Sequence, residues 1–239
     1  MKKIKVKDCY RSGTPINLDY HRSIKPEARK WSFLTKNIKS KNKKIKILDI
    51  GCGNGSIMLQ LRKMGFTNLY GLEYEKQMFK RTLIEHPGLK IKQGDAQNLV
   101  DYANGFFDVV LSCHVLEHLP FPDKAVSEAV RVLKKGGIFV VGVPNGYHFN
   151  DRMIRMIQLL VYGKYDHLQR FSKKKIGRLL EKYGLIIKKF QVNKGSLELL
   201  KDVRMGKFMF LTEKIIYPVI KFLYWQEFSF EIMAKKKVG

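Results

Sequence analysis

The stretch Ile47 to Gly55, ILDIGCGNG, constrains this chain more than any other. A short apolar run is wrapped around one carboxylate, Asp49, and gives way to glycine at 51, 53 and 55. Apolar runs of this length read as strands buried on both faces. Glycines at the carboxyl end of such a strand permit positive φ and let backbone approach a ligand closely. A tight strand-to-helix turn would use the same residues, so the later motifs of the chain must decide between a turn and a cradle.

From Lys46 onward, apolar runs alternate with segments of helical period. KILDI (46–50), NLYGLEY (68–74), LKIKQGD (89–95), FFDVVLSC (106–113), IFVVGVPN (138–145) and LIIKKFQV (185–192) read as strands, and EFSFEIMAKK (227–236) as a last one. SIMLQLRKMG (56–65), EKQMFKRTLIEH (75–86) and DKAVSEAVRVLKKGG (123–137) read as helices, the third capped by Asp123 and stopped by Gly136. Two more follow at 151–162 and 172–183, the latter capped by Ser172. This alternation predicts an α/β fold with a parallel, doubly wound sheet. Residues 1–44 are expected to form an N-terminal helical cap, 45–192 the core, 193–226 a helical insertion acting as a lid or membrane-facing element, and 227–239 a final strand with a basic tail, all in a single domain.

At 239 residues, 45% of them hydrophobic, the chain can bury one sizeable core. Cys9, Cys52 and Cys113 form neither a CxxC pair nor a Cys/His cluster, which signals no disulfide framework and no metal and suits a reducing cytoplasm. MKKIKVKDCY carries no apolar run after its basic start, so it does not read as a signal peptide. FMFLTEKIIYPVIKFLYW, from Phe208, holds too many charges to span a membrane, but a basic amphipathic element there would lie on the inner membrane face. The formal net charge of +25 fits a lysine-rich composition, a lipid or acidic-substrate surface, or RNA, in that order. The lysines lack the interleaved aromatic residues of a base-stacking surface.

If the glycines cradle a cofactor, three carboxylates say which. The spacing departs from G-x-G-x-x-G because Ser56 holds the sixth position, and Asp49 would repel a phosphate but favour an ammonium group. Glu73 ends the second strand, where an acidic side chain accepts from ribose hydroxyls. Asp95, in GDAQNL at the end of the third strand, is placed to accept from an exocyclic adenine amine. An ammonium, a ribose and an adenine describe S-adenosylmethionine.

ILDIGCGNG, LEYEKQM, GDAQNL, FFDVVLSCHVLEHLP and LKKGGIFVVGVPN, in this order, resemble the class I S-adenosylmethionine-dependent methyltransferases, in particular the type 11, ubiquinone/menaquinone-biosynthesis-like group. The resemblance covers about 45–192. It implies a Rossmann-like, seven-stranded, mostly parallel sheet with helices on both faces and an antiparallel last strand. It further implies that Asp49, Gly51, the Cys52 backbone and Gly53 hold the methionine part, Glu73 the ribose, and Asp95 with the Ala96 backbone the adenine. Cys113 and His114 would line the mouth shared by cofactor and substrate.

Transfer of a methyl group from a sulfonium is an in-line displacement that asks for alignment and exclusion of water more than for catalytic side chains. A hydroxyl acceptor would gain from a general base, and His114, His118 and His167 are the candidates. His118 and Glu117, in the turn after the fourth strand, read as structural. His167, in YDHLQRFS before the Ser172-capped helix, reads as base or substrate contact, and Tyr147 and His148 as pocket lining. SCHV stands where amino-methylating nucleic-acid enzymes carry a Pro- and aromatic-containing tetrapeptide, which favours an oxygen, or next a carbon, on a small-molecule, lipid-linked or glycan acceptor. An RNA methyltransferase, a cofactor-binding protein without turnover and a nicotinamide oxidoreductase are the competing readings.

Overall fold

The computed structural model describes Phe33, residues 35–38, 40–147, 167–194 and 227–238. The expected helix at 151–162, His148, Cys9, and most of the expected N-terminal cap and late insertion lie outside these residues.

The elements are β1 (Lys46–Ile50), α1 (Ser56–Lys63), β2 (Asn68–Glu73), α2 (Lys76–Glu85), β3 (Lys90–Gln93), β4 (Phe107–Cys113), a 3-10 turn (Leu116–His118), α3 (Pro122–Val132), β5 (Leu133–Pro144), α4 (Lys173–Lys182), β6 (Leu185–Lys194) and β7 (Glu227–Lys236). The strands form one seven-stranded sheet of order β3-β2-β1-β4-β5-β7-β6. β1 to β5 pair in parallel, and β7 runs antiparallel between β5 and β6. β1 and β4 are buried along almost their whole length, as their continuous apolar sequences require, whereas the edge strand β3 is mostly exposed.

Each sheet face carries its own core. Leu48, Val110, Phe139 and Ile232 meet Val126 and Ala129 of α3 and Ile176 and Leu180 of α4. On the opposite face Ile47, Leu111 and Val140 pack with Ile57, Met58 and Leu61 of α1. The helices therefore cover both faces, and polar side chains have room only at the strand ends. The chain runs outward from β1 through β2 to β3, then returns to place β4 on the other side of β1. This reversal opens a crevice at the carboxyl ends of β1 and β4, where open α/β sheets bind ligands.

Two expectations need correction. The helix expected over 123–137 ends at Val132, because Leu133 turns extended and pairs with Phe107. Gly136, expected as its stop, lies inside β5 with a φ of 72°, where the pairing register shifts against β4. Asp123 is not the cap either. Phe121 holds that position, Pro122 opens the helix, and Asp123 accepts from Lys182 Nζ at 2.6 Å, tying α3 to α4. Ser172 does cap α4, accepting from the Lys175 N–H. β6 extends to Lys194, so residues 193 and 194, expected in the insertion, belong to the sheet.

Candidate functional site

The glycine stretch falls at the switch point. Gly51, Gly53 and Gly55 all adopt left-handed φ, 69°, 51° and 74°. A Cβ on Gly51 would collide with Val115 Cγ2, so the loop after β1 is held flush against the loop after β4. At Gly53, by contrast, an added Cβ would meet nothing within 4 Å. The loop is pinned on one side and open on the other, as a cradle needs and a packed turn does not.

Asp49 lies at the base of this loop, 1% exposed, with neither carboxylate oxygen hydrogen-bonded. Burial, with the negative charge of Glu73 added to it, pushes its carboxyl up to about 8. A buried carboxylate in this state lacks a cation, and an ammonium group supplies one. Glu73, at the end of β2, accepts from the Gly53 N–H through Oε2 at 2.8 Å and from the Glu75 N–H through Oε1 at 2.9 Å. Its carboxyl is raised by burial despite these bonds, and its remaining lone pairs can accept from hydroxyls. Thr82 of α2 donates to the Gly53 carbonyl at 2.8 Å, fixing the loop from the far side.

The Gly51 and Cys52 N–H groups both donate to the Leu72 carbonyl, at 2.8 and 3.0 Å. The Cys52 carbonyl in turn accepts from the Gly55 N–H. These N–H groups thus shape the loop, and a donor such as an ammonium group would be received there by carboxylate and carbonyl oxygens. Asp95 is half-buried after β3, where its Oδ1 accepts from the Gln97 N–H at 2.8 Å, next to buried Ala96. Cys113, half-buried and in no disulfide, ends β4. Asp49, Glu73, Asp95 and Cys113 therefore sit at the ends of four strands on one rim of the sheet, and their donor set suits an ammonium, a ribose and an exocyclic amine.

A second group of polar residues stands beside this rim. His114 has a φ of 54°, the only positive φ of a non-glycine residue among those described, and its N–H donates to the Gly142 carbonyl. That conformation aims its ring at Glu117, with Nδ1 3.2 Å from Oε1. Glu117 is wholly buried in the 3-10 turn. Burial pushes its carboxyl up, but the His114 hydrogen bond and the charges of His114, His118 and His167 outweigh it and leave the group below its ordinary range. The His118 and His167 rings meet edge to face, with centroids 4.9 Å apart. The segment carrying His167 is anchored by the Gln169 N–H, which donates to the Glu117 carbonyl at 2.9 Å, and by the Phe171 bridge to Asn145. The structure thus gathers His114, His118 and His167 around Glu117. Tyr147 stands nearby in sequence after β5 but is largely exposed. Reading Glu117 and His118 as merely structural missed this gathering. The usable signal was an acid–histidine pair directly after a core strand.

A sheet of this order, with an acid-bearing glycine cradle at its switch point, has the Rossmann-like fold of the class I S-adenosylmethionine-dependent methyltransferases. Residues 48–141 match the methyltransferase domain family. The chain is 30% identical over 105 residues to a ubiquinone biosynthesis O-methyltransferase of Maricaulis maris, a match covering 42% of this chain and 41% of that protein. It is 36% identical over 123 residues to a 2-methyl-6-phytyl-1,4-hydroquinone methyltransferase of Synechocystis, covering 49% and 36%. The matches thus span about two fifths of the length of these relatives. An S-adenosylmethionine-dependent methyltransferase structure from Mesorhizobium loti superposes with a TM-score of 0.65 at 15% identity, covering 89% of this chain and all of that one. Among the described residues no helix is long and apolar enough to cross a membrane.

Proposed function

We propose that the protein transfers a methyl group from S-adenosylmethionine to a hydroxyl oxygen of a small-molecule, lipid-linked or glycan acceptor. The observation that carries this reading is Asp49, a carboxyl buried at the switch point with both oxygens unpaired. Asp49 would take the ammonium of the cofactor, Glu73 the ribose and Asp95 the adenine amine, while Gly53 leaves room for the chain between them. When bound, the cofactor supplies an electrophilic methyl group. The protein's own work is to orient the acceptor toward it, keep water out and receive a proton.

His114 and His167 would perform that last task, at the rim between the cradle and the segment entering α4. Glu117 supports them, because its buried negative charge favours the protonated imidazole that forms as a hydroxyl loses its proton. Relatives named for ubiquinone biosynthesis and for a phytyl hydroquinone favour an aromatic or lipid-linked acceptor over a nucleic acid, and the first of them is named for methylation on oxygen.

The test is to follow the label from methyl-labelled S-adenosylmethionine in extract of the source cells, separated into organic, small aqueous and RNA fractions. Label in the organic or small-molecule fraction, abolished by Asp49→Ala, supports the reading. Ribonuclease-sensitive label would replace it with RNA methylation, and no transfer to any fraction would leave a cofactor-binding protein without turnover.

A further inference from the structure

Gln97 stands between the acid assigned to the adenine and the turn that leads to the acceptor side of the site. Its backbone N–H donates to Asp95 Oδ1 at 2.8 Å, and its side-chain Nε2 is shared between Oδ1 at 3.2 Å and Oδ2 at 3.3 Å. Contacts of that length, divided over two oxygens, are the weak ones of the set. Through Oε1 the same side chain accepts from the Phe121 N–H at 3.0 Å. Phe121 lies between Pro120 and Pro122, neither of which has an N–H, so its amide is the single backbone donor of that tripeptide and is spent on Gln97.

The same peptide unit is gripped from its other end. Gln169 Nε2 donates to the Pro120 carbonyl at 3.4 Å, while the Gln169 N–H donates to the Glu117 carbonyl at 2.9 Å. Two glutamine side chains thus hold one planar peptide, Gln97 by its N–H and Gln169 by its carbonyl. A path of hydrogen bonds runs from Asp95 through Gln97 and this peptide to Gln169, two residues from His167.

We propose that Gln97 is a positioning residue that couples occupancy of the adenine end of the cradle to the segment bearing His167. The coupling rests on the methyltransferase reading. The exocyclic amine of adenine is a donor and takes an Asp95 oxygen that Gln97 Nε2 now shares. Released from that shared contact, the Gln97 amide settles with Oε1 on the Phe121 N–H. Because the Pro120–Phe121 peptide is planar, fixing its N–H also fixes the carbonyl that Gln169 holds. A ligand shifts such a balance only through a contact that differs between the two states, and the Asp95 oxygen is that contact. The acceptor side is therefore completed once the cofactor is in place, so the cofactor binds first and a hydroxyl meets His167 only when a methyl donor is present.

The test follows amide exchange at Phe121 by NMR in the isotope-labelled full chain, with and without saturating S-adenosylhomocysteine, which keeps the adenine. Wild type, Gln97→Ala and Gln97→Glu are compared, and binding is read by calorimetry on the same samples. One hydrogen bond strengthened at an exposed peptide slows exchange in wild type roughly fivefold on binding. Gln97→Ala exchanges fast in both states. Gln97→Glu can accept from Phe121 but cannot donate to Asp95, so it exchanges slowly in both states. A merely structural Gln97 would speed exchange when removed, with no dependence on S-adenosylhomocysteine in any variant. Exchange indifferent to S-adenosylhomocysteine in wild type, or slowed by it equally in Gln97→Ala or Gln97→Glu, overturns the coupling. Failure of the unmodified chain to bind S-adenosylhomocysteine removes the methyltransferase reading and the coupling with it, whereas binding without a change at Phe121 removes the coupling alone.

Discussion

Replacing Asp49 with Asn should stabilise the ligand-free protein, increasingly so as pH rises from the ordinary carboxyl range to about 8. The folded chain holds the Asp49 carboxyl at about 8 against an ordinary 3.8, through burial first and Glu73 second. Between those values the folded state keeps a proton that the unfolded chain has released, so this group's contribution to stability falls as pH rises through the window. A tenfold change in proton affinity corresponds to about 1.4 kcal/mol, so the full window amounts to on the order of 5 kcal/mol. Relaxation and entering water reduce it in practice to about 2 kcal/mol. Asparagine resembles the neutral acid in size and cannot ionise, so urea unfolding should show Asp49→Asn close to wild type near pH 4, the lower edge of the window, and about 2 kcal/mol more stable at pH 8.5. A difference between the two proteins that does not grow with pH, or a variant less stable at pH 8.5, would refute the picture of a buried, cation-seeking carboxyl.

Three further substitutions probe the frame around the cradle. Gly51→Ala forces an alanine into a left-handed conformation and against Val115, and should destabilise the fold by about 2–4 kcal/mol, with partial recovery in a Gly51→Ala/Val115→Ala double variant, read by thermal unfolding. His114→Ala leaves the buried Glu117 carboxylate without its hydrogen bond and should cost about 3 kcal/mol at pH 7. Because the lowered Glu117 group stabilises the fold above the ordinary carboxyl range and loses that contribution as pH falls, the deficit of this variant should shrink as pH is lowered through the carboxyl range. Ser172→Ala removes the cap of α4 and should cost about 1 kcal/mol, with amide exchange quickening first in the Lys173–Lys175 turn.

KILDI was legible as β1 because its apolar run is nearly unbroken and is closed by Gly51, and EFSFEIMAKK as β7 because apolar and polar residues alternate along its first half. The boundary after α3 was not legible. LKKGG reads as a helix end by local preference, yet Leu133 pairs with Phe107 and draws the segment into the sheet, a tertiary contact that helical period cannot register. Asp49, Glu73 and Asp95 were legible as a set because each closes a strand and the topology of a doubly wound sheet brings strand ends together. The turn of the Gly51 and Cys52 N–H groups to the Leu72 carbonyl was not legible, since that contact joins two strands far apart in sequence. Nor could spacing bring His167 to Glu117 and His118: that contact depends on Phe171 bridging to Asn145 and on one backbone hydrogen bond from Gln169.

The identity of the ligand in the cradle decides most directly whether the three strand-end carboxylates hold S-adenosylmethionine. Calorimetric titration of the chain with S-adenosylhomocysteine, repeated with Asp49→Asn and with NADH present in excess, measures it in one series. A single site per chain, weakened by Asp49→Asn and indifferent to NADH, is the expected result. Absence of binding, binding unaffected by Asp49→Asn, or displacement by NADH would contradict it.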